Sequence, residues 1–258
     1  MDHLIKEIII REVTRHQGKT TYRTPVVGFA RAADPGFARL KELVGPGHLL
    51  PRDLLPEARS VAAFFLPFTA ELVEANRDDP YVSRRWAEAY IETNALMGEI
   101  CSILARELAA RGVKAAWQQP THNFDPVALV SFWSHKHVAY LCGLGTFGVN
   151  HLLITAAGCA GRLGSLVVDA PLSPTPVPDR ENCLFKRQKT CAACVRLCPA
   201  GALTAEGLDK QKCHRHLQEV NAYFADLSKC DVCGKCAAGP CALAAPGDNQ
   251  SRLDAVRF

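Results

Sequence analysis

The chain has 258 residues, 48% of them apolar and 22% charged, with a formal net charge of +4. These proportions are ordinary for a globular protein and allow one large domain, or a medium domain with a small appendage. The charge excess is too small to define a nucleic-acid surface, and no stretch reaches the ~18 apolar residues that span a bilayer.

The opening MDHLIKEIIIREVTRHQG does not read as a secretion signal, because its apolar run Ile8 to Ile10 is flanked by Lys6, Glu7, Arg11 and Glu12; a cytoplasmic location is expected. Asp2 to His16 reads as a helix stopped near Gly18. A second helix follows the entrance Asp34-Pro35 and runs through GFARLKELV. VAAFFL, from Val61 to Leu66, is a short apolar run ended by Pro67 and suits a buried strand. Arg84 to Arg111 is the clearest helix, since Trp86, Tyr90, Met97, Ile100, Leu104 and Leu108 recur at helical spacing and Gly112 closes it. In SHKHVAYLCGLGTFGVNHLLIT, HKHVAYLC reads as a helix and VNHLLIT as a strand; LGSLVVD, from Leu163, reads as another strand. PLSPTPVPD then carries Pro171, Pro174, Pro176 and Pro178, a density that permits neither ladder nor helix and marks a semi-rigid boundary. The final PGDNQSRLDAVRF reads as a polar tail.

Twelve cysteines in a reducing compartment are not expected to pair as disulfides. Cys101, Cys142 and Cys159 are scattered, whereas nine crowd between Cys183 and Cys241, which calls for metal. Cys183-x7-Cys191-x2-Cys194-x3-Cys198-Pro199 ends in the C-x2-C-x3-C-P pattern of bacterial ferredoxins, with Cys198 expected to open a short helix. A second motif supplies Cys230, Cys233, Cys236 and Cys241, preceded by Cys213. Two [4Fe–4S] cubanes need eight thiolates. The ferredoxin crossover rule assigns Cys183, Cys191, Cys194 and Cys241 to one, and Cys198, Cys213, Cys233 and Cys236 to the other. Cys230 is then left over, although spacing alone also permits it in place of Cys213. Structural zinc is the competing reading of C-x2-C pairs, with His214 and His216 as added donors.

Gly143, Gly145 and Gly148 formally match G-x-G-x-x-G, but a dinucleotide fingerprint needs a strand before the glycines and a helix after them, and the order here is reversed. The glycines read instead as a loop that lets backbone approach a flat ligand or a cluster. His135, His137 and His151 surround it and are candidate proton donors; Asp125 is another.

At TPVVGFARAADPGF, LLPEARSVAAFFLPF, GLGTFGVNHLLIT, GCAGRLGSLVVD and the two cysteine motifs, over roughly residues 20 to 245, the sequence resembles the epoxyqueuosine reductase family and its shorter relatives, distantly akin to reductive dehalogenases. The resemblance implies an α+β fold. A nitroreductase-like α/β module (1–170) would cradle cobalamin, a Pro-rich linker (171–180) would follow, then a ferredoxin-like double [4Fe–4S] domain (181–246) and a tail (247–258). Gly143, Gly145, Thr146, Phe147, Gly148 and His151 would line the corrin site. Electrons from a donor such as ferredoxin or flavodoxin would pass through the clusters to cobalt and reduce a small molecule or modified nucleoside, with no membrane involved. Two departures weaken a tRNA substrate: no helical repeat segment follows the clusters, and Leu129, in LVSFWSHKH, stands where the family's catalytic aspartate is expected. Other readings are an electron-transfer or reductive-activation protein without an organic cofactor, and a flavin-linked reductase.

Overall fold

The computed structural model describes residues 1–119 and 123–247, so the expected tail lies outside the described residues beyond Gly247. In α1 (Asp2–Arg15), Ile5, Ile8 and Ile9 turn inward. The chain then enters β1 (Val26–Arg31) and α2 (Pro35–Leu43), which starts as expected at Asp34, whose carboxylate accepts from Gly36 N–H at 2.7 Å. A short α3 (Pro51–Leu54) precedes β2 (Ser60–Pro67), and α4 (Ala70–Asp78) leads into the long α5 (Arg84–Ala109). Gly112 takes a positive φ just beyond α5, as a helix-terminating glycine does.

β3 (Ala115–Ala116) and the small hairpin of β4 (Phe124–Asp125) and β5 (Val130–Ser131) come next. They are followed by α6 (His135–Leu141) and a second hairpin of β6 (Gly145–Phe147) and β7 (Leu153–Thr155). β8 (Gly161–Val168) completes a four-stranded antiparallel sheet of order β1-β2-β8-β3.

Alternation along β2 explains why both faces are covered. Ala62, Phe64 and Leu66 pack on Ile5, Ile8 and Ile9 of α1 and on Leu96, Met97, Ile100 and Leu104 of α5. Val61, Ala63 and Phe65 pack on Phe37 of α2, Val138 of α6 and Trp133. All eight β2 residues are buried, and a strand buried on both faces reads as a continuous apolar run.

The proline-rich segment lies beside the edge strand β1. Thr175 N–H donates to Phe29 O at 2.9 Å, Phe29 N–H donates to Thr175 Oγ1 at 3.1 Å, and Leu172 N–H donates to Ser60 Oγ at 2.9 Å. Beyond it come α7 (Leu184–Gln188), α8 (Ala193–Arg196) and α9 (Lys210–Tyr223), then a 3-10 turn at Lys235–Ala237. The short helix α8 carries Cys194 and ends before Cys198, so Cys198 follows that helix and does not open it; Pro199 bars continuation.

One apolar interior joins Phe68, Leu72, Val82 and Trp86 to Val220, Phe224, Cys230 and Ala237. Arg23 fastens the same junction, its guanidinium donating to Phe68 O (2.8 Å), Leu243 O (2.8 Å) and Ala157 O (2.6 Å). Among the described residues no helix is long and apolar enough to cross a membrane.

Candidate functional site

The crowded thiols fall into two groups. Cys183, Cys191, Cys194 and Cys241 line one apolar pocket with Val149, Ile154 and Pro240. Burial, then the neighbouring Cys241, Cys183 and Cys191, push the Cys194 thiol up to about 12. In the second group, burial pushes Cys233 up to about 11, with Cys213 and Cys198 adding to the rise. Burial raises Cys236 further, helped by Cys233, Cys213, Cys194 and Cys198, and Cys213 is raised by burial and by Cys198.

Cys230 stands apart. It is fully buried, its N–H donates to Asn221 Oδ1 at 2.8 Å, and burial, then Asp231 and Asp226, raise its thiol while Arg84 opposes the rise. Among the described residues no three His, Cys, Asp or Glu side chains form a group that could hold a metal ion.

The second thiol group opens on a cleft with three connected lobes, all lined by Lys136. The largest, about 610 Å³, is bordered by Leu129, Ser134, His137, Phe147, Gly148, His151 and Lys210. The next, about 470 Å³, is bordered by Trp86, Tyr90, Cys159, Arg162, Cys213, Asp231, Cys233 and Cys236. The third, about 290 Å³, is bordered by Trp133, His135, Cys159 and Arg162. Walls that mix apolar side chains with many polar and charged groups, spread over this volume, leave room for a large flat cofactor such as a corrin.

The histidines differ in what their nitrogens can do. His135 Nε2 lies 3.3 Å from Gln119 O and therefore carries the proton, so Nδ1 accepts from Ser165 Oγ–H at 2.8 Å. Ser165 in turn accepts from Trp133 Nε1–H at 2.9 Å, and burial pushes His135 down to about 4. Both nitrogens are engaged by protein. His137 bonds Ser134 Oγ through Nδ1 (2.7 Å), and its ring is tilted against Phe147, with centroids 4.8 Å apart. Burial, then Lys136, His48, Lys210 and His151, lower it to about 4. His151 sits at φ 58 with its carbonyl accepting from Lys136 Nζ at 3.0 Å. Asp125 is not among the residues bordering the cleft. Its Oδ1 accepts from Val127 N–H (2.8 Å) and Ala128 N–H (3.0 Å), which lower its pKa and build the β4–β5 turn.

The glycine loop divides its roles. A side chain at Gly143 would strike the carbonyls of Thr175 and Pro176, and one at Gly145 would strike the Ile154 carbonyl. Thr146 Oγ1 accepts from Asn182 N–H at 2.7 Å. These three positions hold the linker and hairpin together, leaving Phe147, Gly148 and His151 to border the cleft.

Sequence reasoning missed a buried polar network on the cleft wall. Arg162 donates to Asn94 Oδ1 through Nε (3.1 Å) and Nη2 (2.9 Å) and lies over the Tyr90 ring, 4.5 Å from its centroid. Tyr90 donates to Asp231 Oδ1 at 2.9 Å. The local signals were Asp231 inside C-D-V-C and Arg162 inside GCAGRLG, but nothing in either motif announces the partner.

No protein-family model matches the chain. In sequence it is similar to the epoxyqueuosine reductase of Vibrio cholerae, 28% identical over 172 residues (65% of this chain, 43% of that protein), and to that of Bacillus cereus, 25% identical over 196 residues (71% and 48%). The chain spans about half the length of the curated relatives it matches. In fold it is similar to the epoxyqueuosine reductase of Bacillus subtilis, with a TM-score of 0.59 at 19% identity (96% of this chain, 68% of that one). An epoxyqueuosine reductase in complex with an epoxyqueuosine-modified tRNA stem loop gives 0.54 at 20% (86% and 59%). A reductive dehalogenase whose structure suggests a mechanism for B12-dependent dehalogenation gives 0.52 at 17% (73% and 26%). By sequence the chain is thus a relative of epoxyqueuosine reductases, and it shares one fold with them and with reductive dehalogenases.

Proposed function

We propose that this chain is an iron–sulfur reductase. A nitroreductase-like module over 1–170 would hold cobalamin in the cleft, a linker over 171–180 would follow, and a ferredoxin-like segment over 181–246 would hold two [4Fe–4S] clusters. Cys183, Cys191, Cys194 and Cys241 would bind one cluster, and Cys198, Cys213, Cys233 and Cys236 the other. When bound, the clusters supply one-electron transfer and the corrinoid supplies a reducing cobalt centre.

The protein's own part is to hold, insulate and position. Cys233 and Cys236 border the cleft, so the second cluster would stand against the substrate chamber while the first lies in its own apolar pocket. Trp86, Tyr90 and Phe124 line the chamber. Ser134 fixes the His137 ring through Nδ1, which makes His137 the histidine best placed to exchange a proton with a bound ligand; His135 is committed to Ser165 and Gln119. The electron donor would be a small carrier such as ferredoxin or flavodoxin, and the substrate a small molecule or a modified nucleoside.

The observation that carries this reading is the second fourfold thiol group opening on a cleft. Anaerobic purification with iron, sulfide, zinc, cobalt and flavin assays tests it. About eight irons and eight sulfides per chain are expected, followed by retention of added hydroxocobalamin; a colourless protein containing zinc ends the reading. Leu129 favours a second one. An apolar side chain at φ 52 borders both large lobes where the resemblance implies a catalytic aspartate, as suits an electron-transfer protein without an organic cofactor. Full iron content with no corrinoid retained would select it.

A further inference from the structure

The largest lobe of the cleft is cationic in a way that no thiol chemistry requires. Lys136, Lys186, Lys189 and Lys210 border it together with His137 and His151, and the one carboxylate among the described residues on its wall is Glu206. The four lysines come from α6, from α7 and the residue just past it, and from the first residue of α9, so the cluster is built by the tertiary fold and not by one charged run. Lys136 Nζ donates to the His151 carbonyl at 3.0 Å, and Lys186 approaches Glu181 only at 3.9 Å. The groups repel one another. Lys136 is held below its usual range by burial and then by Lys210, while His151 is lowered by burial and then by Lys136, Lys186 and Lys210. Cations gathered around a cavity of about 610 Å³ with so little negative charge focus a field that favours an anion.

We propose that this lobe binds an oxyanion, specifically a phosphate group, through Lys136, Lys186 and Lys210. The idea deepens the reductase reading, on which its meaning for catalysis rests, but it is measured without iron or cobalt. The phosphate would belong either to the substrate or to the nucleotide loop of a corrinoid.

The test uses full-length protein purified anaerobically, titrated calorimetrically with inorganic pyrophosphate. One-to-one, salt-sensitive binding is expected, weakened by about tenfold or more in Lys136→Gln and in Lys210→Gln, the loss of one charge-assisted contact each. Lys114→Gln, which removes an ammonium that pairs with Glu57 and does not border the lobe, should match the parent. Lys210 is exposed at the start of α9, so its variant reports even where Lys136→Gln folds poorly. Absent pyrophosphate binding, or binding unchanged by Lys210→Gln, overturns the proposal whatever the iron content proves to be. Comparing cobalamin with cobinamide, which lacks the loop phosphate, assigns the source. Weakening of cobalamin alone by Lys210→Gln places the corrinoid's phosphate in the lobe; equal retention of both, with pyrophosphate affinity lost, assigns it to the substrate.

Discussion

The Cys159 thiol stands 3.7 Å from the Cys241 thiol, within sulfur hydrogen-bonding range, and Asn150 Nδ2 reaches Cys159 Sγ at the same distance. Cys159 also borders two lobes of the cleft. With Cys241 as a cluster ligand, a neighbouring S–H donor would stabilise the more negative reduced state. Cys159→Ala should therefore keep the full iron content and lower the midpoint potential of one cluster, read by a redox titration followed by electron paramagnetic resonance. Loss of half the iron would instead make Cys159 a ligand.

The two candidates for the eighth ligand separate cleanly. Cys213→Ser should lose about half the iron, since Cys213 shares its surroundings with Cys198. Cys230→Ser should retain it all, since the charges acting on Cys230 are those of Asp231, Asp226 and Arg84. Iron and sulfide counts on the two variants, reversed from this order, would exchange their roles.

Acid should destabilise the protein through His135. Its folded pKa is pushed down to about 4, below the ordinary 6.5, so the unfolded chain takes up a proton first. The penalty is absent above about pH 6.5, grows as pH falls and is complete near pH 4, amounting to about 3 kcal/mol from this group. His135→Gln should flatten the fall of urea midpoints across that window. A slope equal to the parent's would mean that His135 titrates normally in the folded state.

Lys235 is 6% exposed, and its ammonium donates to the carbonyls of Asn76 and of Asp79 (2.6 Å) at the end of α4. Lys235→Met would leave those carbonyls without a donor and should cost about 2–3 kcal/mol of stability. Chemical denaturation checks it, and a loss under about 0.5 kcal/mol would show that water replaces the ammonium freely.

What could be read beforehand follows from locality. β2 announced itself because both its faces are covered, and α5 because one stripe from Trp86 to Leu108 faces the interior. The crowding of nine thiols between Cys183 and Cys241 was legible because it is a property of the chain itself. The cleft was not. Tyr90, Arg162 and Asp231 are separated by about seventy residues at each step and meet only through tertiary packing. At the glycines, sequence shows that backbone must come close at Gly143 and Gly145 but not that the visitors are Thr175, Pro176 and Ile154.

The interior that Trp86 and Phe68 share with Val220 and Cys230 has an evolutionary corollary. A redox cassette tethered by a bare linker can be exchanged between genes as a unit. Here any transplant of the cysteine segment would have to bring α4, α5 and the Arg23 clamp with it, or leave a hydrophobic wound on both sides.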